Sequence, residues 1–175
     1  NTEIYKFNSN GTPDVTFDSD GKININDLII ANNSNYALQY INDFKIDEFG
    51  NLFLAVDLII NSPFSISYGV LKISNNGILI NSFANNWLYT TRFESDLNRM
   101  EFPRRLLFQN DGKIVVVGFS DLIGVSNTKY ISLRLNSNGV LDSSYGTSGK
   151  KSMQFSTGPI DNVVNNAFIL NDNSV

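Results

Sequence analysis

The chain has 175 residues, 42% of them hydrophobic and 17% charged, with a net charge of −4 and a pI near 4.7. That composition suits a folded protein and is too apolar for a disordered one. The 13 Lys and Arg residues are scattered, and their densest group, Arg104-Arg105 with Arg99 nearby, is too small for a nucleic-acid phosphate track. The sequence has no cysteine and no histidine. Disulfides, thiolate or histidine metal sites, and Ser-His-Asp or Cys-His catalysis are therefore excluded. The longest apolar stretches, Leu52 to Ile60 and Ile114 to Phe119, have strand length and not membrane-span length. The chain opens on Asn1 without a signal-peptide pattern, so it reads as a processed chain or an excised segment.

Taken in chain order, the first recognisable element is Tyr5-Lys6-Phe7 followed by Asn8-Ser9-Asn10-Gly11. An apolar-basic-apolar run ending in Asn-Gly predicts a strand and a tight turn, because Asn-Gly adopts positive φ at low cost. Asp14 to Lys22 follows, with Phe17 and Asp20-Gly21. Within it begins a stretch with calcium-loop character. Asp18, Asp20 and Asp27 fall at positions 3, 5 and 12 around Gly21. Position 1 is Thr16, which lacks the expected carboxylate, so calcium is the one cofactor this stretch suggests and none is expected. An Asn-rich stretch around Ala31 to Tyr36 reads as a surface loop.

Phe44-Lys45-Ile46-Asp47-Glu48-Phe49-Gly50 then leads into Leu52-Phe53-Leu54-Ala55-Val56. After a further strand, Leu71-Lys72-Ile73-Ser74-Asn75-Asn76-Gly77 repeats the first element. The stretch after it departs from the pattern. Ile80 stands where Asp14 stood, Phe83 keeps the aromatic, and Trp87 replaces a turn glycine. Phe93 to Arg99 is the best helical candidate. The same cycle then returns as Leu106 to Gly112, Ile114 to Gly118, Leu133 to Gly139 and Asp142 to Lys150. It begins again at Phe168 to Ser174.

Glycines 11, 77 and 139 are 66 and 62 positions apart, and Gly50 to Gly77 equals Gly112 to Gly139 at 27. A fixed period of this length indicates a repeat architecture. Each unit predicts four antiparallel strands, which cannot bury both faces alone and must stack on neighbours. The expected fold is all-β, with propeller-like blades of period about 62–66 in an open or partial array. The single array divides into 1–43, 44–105, 106–167 and 168–175.

Leu133 to Lys150, reading Leu-Arg-Leu-Asn-Ser-Asn-Gly-Val-Leu-Asp-Ser-Ser-Tyr-Gly-Thr-Ser-Gly-Lys, resembles the delta-60 repeat family. Asn110 to Gly118 resembles that family's other half. The resemblance covers essentially the whole chain and weakens at Ile80 and Trp87. It implies a propeller-like unit of a large secreted or surface bacterial protein, and it transfers no catalytic residues.

Asp14 and Asp142 could be taken for catalytic carboxylates, but a repeated turn Asp caps backbone N–H groups. Lys6, Lys72 and Arg134 share one repeat position and predict a solvated face or a cross-strand ion pair. Trp87, Tyr89 and Arg92 are the candidate contacts for a protein or glycan partner, because aromatics beside arginine favour such surfaces. The expected function is a non-catalytic binding or structural module of a larger extracellular, cell-surface or virion protein, mediating protein–protein or glycan adhesion. Its partners would be other protein chains, repeats of the same protein, or glycans, without nucleic acid and without membrane insertion. The alternative is a propeller-type carbohydrate-active enzyme with paired carboxylates.

Overall fold

The computed structural model describes residues 2–61, 64–94, 98–122, 125–154 and 164–175. In chain order the elements are β1 (Glu3–Tyr5), β2 (Lys22–Asn24), α1 (Ile25–Asn32), β3 (Tyr36–Ile46), β4 (Leu52–Asn61), β5 (Phe64–Ile73), β6 (Leu88–Thr91), β7 (Arg99–Phe108), β8 (Ile114–Leu122), β9 (Val125–Leu135) and β10 (Lys150–Met153). Two four-stranded antiparallel sheets, β3-β4-β5-β6 and β7-β8-β9-β10, are preceded by the two-stranded pair β1-β2. The described strands form propeller-type blades in an arc that does not close among the described residues. The boundaries read at 44 and 106 fall inside β3 and β7, the first strands of the two sheets.

The repeat is visible in the register. Tyr5 pairs with Lys22, Leu71 with Leu88, and Leu133 with Lys150. The Asn-Gly turn expected to join the third and fourth strands directly does something else. It closes a single bridge, Phe7↔Pro13, Ile73↔Leu79 or Leu135↔Leu141. The chain then makes a compact corner, in which Gly21, Trp87 or Gly149 donates its N–H to the carbonyl of Phe17, Phe83 or Tyr145. Only after that corner does the short fourth strand begin. All three corner-closing residues need the left-handed region, at φ +84, +74 and +89. Glycine adopts it freely, whereas Trp87 pays strain that only a well-determined surrounding can hold.

The first and second corners dock on the next unit. The Asp18 N–H donates to the carbonyl of Asn76 at 3.1 Å, and the Ala84 N–H donates to that of Asn138 at 2.7 Å. Asp18 and Ala84 occupy one repeat position, and so do Asn76 and Asn138. Two cores result. One joins the first unit to the first sheet through Phe17, Ile23, Leu54, Leu71 and Trp87. The other joins the two sheets through Phe53, Phe83, Leu106, Val116 and Leu133. A third, smaller cluster seats Val164, Ala167 and Ile169 on Leu107, Val115 and Val117.

The helix was not expected where it lies. Asn24 caps α1 by accepting the Asp27 N–H, and Ile25 and Ile29, one turn apart, are fully buried. A polar cap followed by apolar residues at i and i+4 is sufficient to start a short helix once a core receives that face. Of the expected helix Phe93 to Arg99, residues 95–97 lie outside the described ones, and Arg99 opens β7.

Candidate functional site

The repeated polar residues form ion pairs within their own units. Lys6 pairs with Asp14 at 2.9 Å, and Arg134 with Asp142 at 2.8 Å. In the middle unit, where Ile80 has replaced the aspartate, Lys72 turns to Asp47 at 3.2 Å. Asp14 also accepts from the N–H of Thr16, and Asp142 from that of Ser144. Hydrogen bonds from Thr16 and Lys6 hold the Asp14 carboxyl at about 2, and those from Ser144 and Arg134 hold Asp142 at about 2. Both stay ionised at neutral pH and cap turns, the arrangement expected of Asx residues.

Asp18, Asp20 and Asp27 are not gathered around one point. Asp18 sits in the docked corner at φ +48, Asp20 caps the Lys22 N–H, and Asp27 lies in the first turn of α1. Among the described residues no three acidic side chains form a metal-holding group.

The partner-contact candidates separate. Trp87 is 3% exposed and packs in the first core, so it fills space and offers a partner little of its surface. Tyr89 is half-buried against the second core. Arg92 turns inward, donating from Nη2 to the carbonyl of Arg99 at 2.8 Å.

Trp87 and Tyr89 nevertheless border an open polar groove. It is lined by Asn32, Asn33 and Tyr36 on one wall and by Asn85, Asn86 and Tyr89 on the other, and encloses about 440 Å³. The first wall comes from the insertion between α1 and β3, and the second from the corner where the middle unit abandons the pattern. The two irregularities of the repeat thus meet at one place. All four asparagines are exposed, and each offers two amide donors and a carbonyl acceptor.

A second polar region lies inside. The strands β3 and β7 each carry a bulge, at Ile41/Asp43 and at Pro103/Arg105. The residues bulged out, Asn42 and Arg104, bond one another across the sheets, Arg104 Nη1 donating to Asn42 Oδ1 at 2.7 Å. Asn42 Nδ2 in turn donates to Asp57 Oδ1 at 2.7 Å. Asp57 is 1% exposed, and burial pushes its carboxyl up to about 7 despite the Asn42 hydrogen bond and the Arg104 charge. Glu101, also fully buried, has its carboxyl raised by burial, while Oε1 accepts from the N–H groups of Phe93 and Glu94. Comparison of the units carries a signal for these two residues, since Asp57 stands where the next unit has Phe119, and Glu101 where the preceding unit has Gln39.

With this geometry established, comparison with known families shows a match to the family described as a domain of unknown function (DUF5122) beta-propeller, over residues 109–145. The matched segment runs from the turn before β8, through β8 and β9, to the aromatic of the third corner. It indicates a β-propeller domain of unknown function built from propeller-like repeats. No curated protein and no solved structure matches the chain.

Proposed function

We propose that the chain is a non-catalytic binding module of the delta-60 repeat kind, within a larger extracellular, cell-surface or virion protein. Its contact surface is the asparagine-lined groove between the α1–β3 insertion and the middle corner, and its ligand is a glycan. The observation carrying this reading is that both departures from the repeat converge on that groove. Exposed amides bordered by aromatic rings suit the alternating hydroxyls and apolar faces of a sugar. Protein partners or further repeats of the same protein would meet the remaining blade surfaces. A hydrolytic function would require two carboxylates facing an open groove. None of the residues lining this groove is acidic, and Asp57 and Glu101 are 1% and 0% exposed.

The test is a glycan array followed by titration of the best hit against Asn85→Ala and Asn86→Gly. The second substitution suits the backbone, because Asn86 has φ +59. Each lost hydrogen-bonding side chain is expected to weaken binding about ten-fold, with unfolding midpoints unchanged. Failure to bind any glycan at millimolar concentration, or binding unaffected by both variants, would remove the proposal.

A further inference from the structure

Among the described residues, no charged side chain of either sign lines the groove between the α1–β3 insertion and the middle corner. The recess between the two sheets differs in this respect, since it holds Asp47, Glu48 and Lys72. The polar lining of the groove is therefore amide and hydroxyl alone, over an apolar floor in which Trp87 and Leu88 are 3% and 6% exposed.

The amides differ in what they have left to offer. Asn32 Nδ2 donates to the Leu28 carbonyl at 2.9 Å, which leaves its Oδ1 as an acceptor. Asn33 Oδ1 accepts from the Asn35 N–H at 3.0 Å, and its Nδ2 remains as a donor. Across the groove, Asn85 and Asn86 make no side-chain hydrogen bond among the described residues, so both keep donor and acceptor. Asn86 stands at φ +59 in a corner that also holds Ala84 and Trp87 at +53 and +74. Packing fixes that backbone, so these amides are presented with little ordering left to do on binding.

A hydroxyl donates and accepts at once, and this set meets it from both walls. A sulfate or carboxylate only accepts, and losing its water here would bring it no cation in return. Every amide oxygen in the set would oppose it, and the net charge of −4 adds repulsion at longer range. A calcium ion bridging protein and sugar hydroxyls needs carboxylate ligands, which the described lining does not contain.

We propose that the groove selects uncharged glycans, held through their hydroxyls without a bridging metal ion, and rejects the sulfated, sialylated or uronic-acid forms. This selection rests on the glycan reading of the groove and adds to it the chemical class of the ligand.

The test titrates matched pairs, one oligosaccharide unsubstituted and sulfated, into the chain, once with millimolar calcium and once with a chelator. Trp87, the one tryptophan of the sequence and part of the groove lining, supplies the fluorescence signal. The neutral form is expected to bind at least about ten-fold tighter, because the anion finds no partner, and equally in both buffers. Asn32→Lys then supplies a cation. Position 32 is exposed in the last turn of α1, which has no basic residue, so lysine suits both the helix and its dipole. The variant is expected to move the preference at least about ten-fold toward the sulfated form, with its unfolding midpoint unchanged. Equal or tighter binding of the sulfated form by the wild type, loss of binding in chelator, or an unmoved preference in Asn32→Lys would overturn the selection and leave glycan binding standing. Silence of both forms of every pair would remove the glycan reading and the selection together.

Discussion

Gly139→Ala is expected to destabilise the chain by about 3 kcal/mol, while Gly11→Ala at the equivalent position costs about 1 kcal/mol. The two glycines share one conformation, φ +84 and +82, so the strain of placing a side chain there is the same in both. What differs is the docked corner. A Cβ on Gly139 would lie 2.6 Å from the Ala84 nitrogen and 2.8 Å from the Phe83 ring, whereas one on Gly11 would meet nothing within 4 Å. The Ala84 N–H is the group that donates across the units to Asn138, so overpacking here also breaks the hydrogen bond. Gly77, at 3.2 Å from Asp18, should fall between them. Urea unfolding of the three variants measures the series. Equal costs at all three positions would mean that the corners do not bear on the turns.

Stability is expected to fall by roughly 2–3 kcal/mol between pH 5 and pH 8, and Asp57→Asn is expected to remove most of that fall. Asp57 has a folded pKa of about 7 against an ordinary value of 3.8. The folded state therefore binds its proton more tightly than the unfolded state does. The favourable contribution is complete below the unfolded value and is lost as pH rises through the folded one, because the folded chain must then hold a buried charge. Glu101, raised by the same cause, acts in the same direction. Asparagine keeps an acceptor for Asn42 Nδ2 without the charge. Denaturant midpoints at the two pH values check this. A wild-type stability that is flat or rising over that interval, or a slope surviving in the variant, would contradict the burial of Asp57.

The parts of this molecule legible in its sequence are those that the backbone dictates locally. Asn10-Gly11, Asn76-Gly77, Asp111-Gly112 and Asn138-Gly139 marked turns, and the apolar runs between them marked strands, whereas the junctions β3–β4, β4–β5 and β8–β9 carry no such pair. The equivalence of Tyr5, Leu71 and Leu133 follows directly from the repeat spacing and reappears as strand register. The helix α1 was hidden because Ile23-Asn24-Ile25-Asn26 alternates as a strand does; only the core pocket that receives Ile25 and Ile29 selects the helical period. The corner between bridge and fourth strand was hidden because it depends on one residue at positive φ, which the Trp87 of the middle unit disguises. Trp87 breaks the pattern, and its ring packs inside the first core. The surface it helps to build belongs to Asn85 and Asn86 together with an insertion some fifty residues earlier, a convergence that single-sequence periodicity does not contain.

Amide hydrogen exchange at the three corners is the most direct test of a unit-to-unit docking array. Asp18 and Ala84 donate across to Asn76 and Asn138, while Gly146, at the same repeat position in the third unit, has no hydrogen-bond acceptor among the described residues. In dilute solution the Asp18 and Ala84 amides should exchange slowly and the Gly146 amide rapidly, by at least about a hundred-fold. Exchange of Ala84 as fast as that of Gly146 would show that the blades do not dock corner on turn.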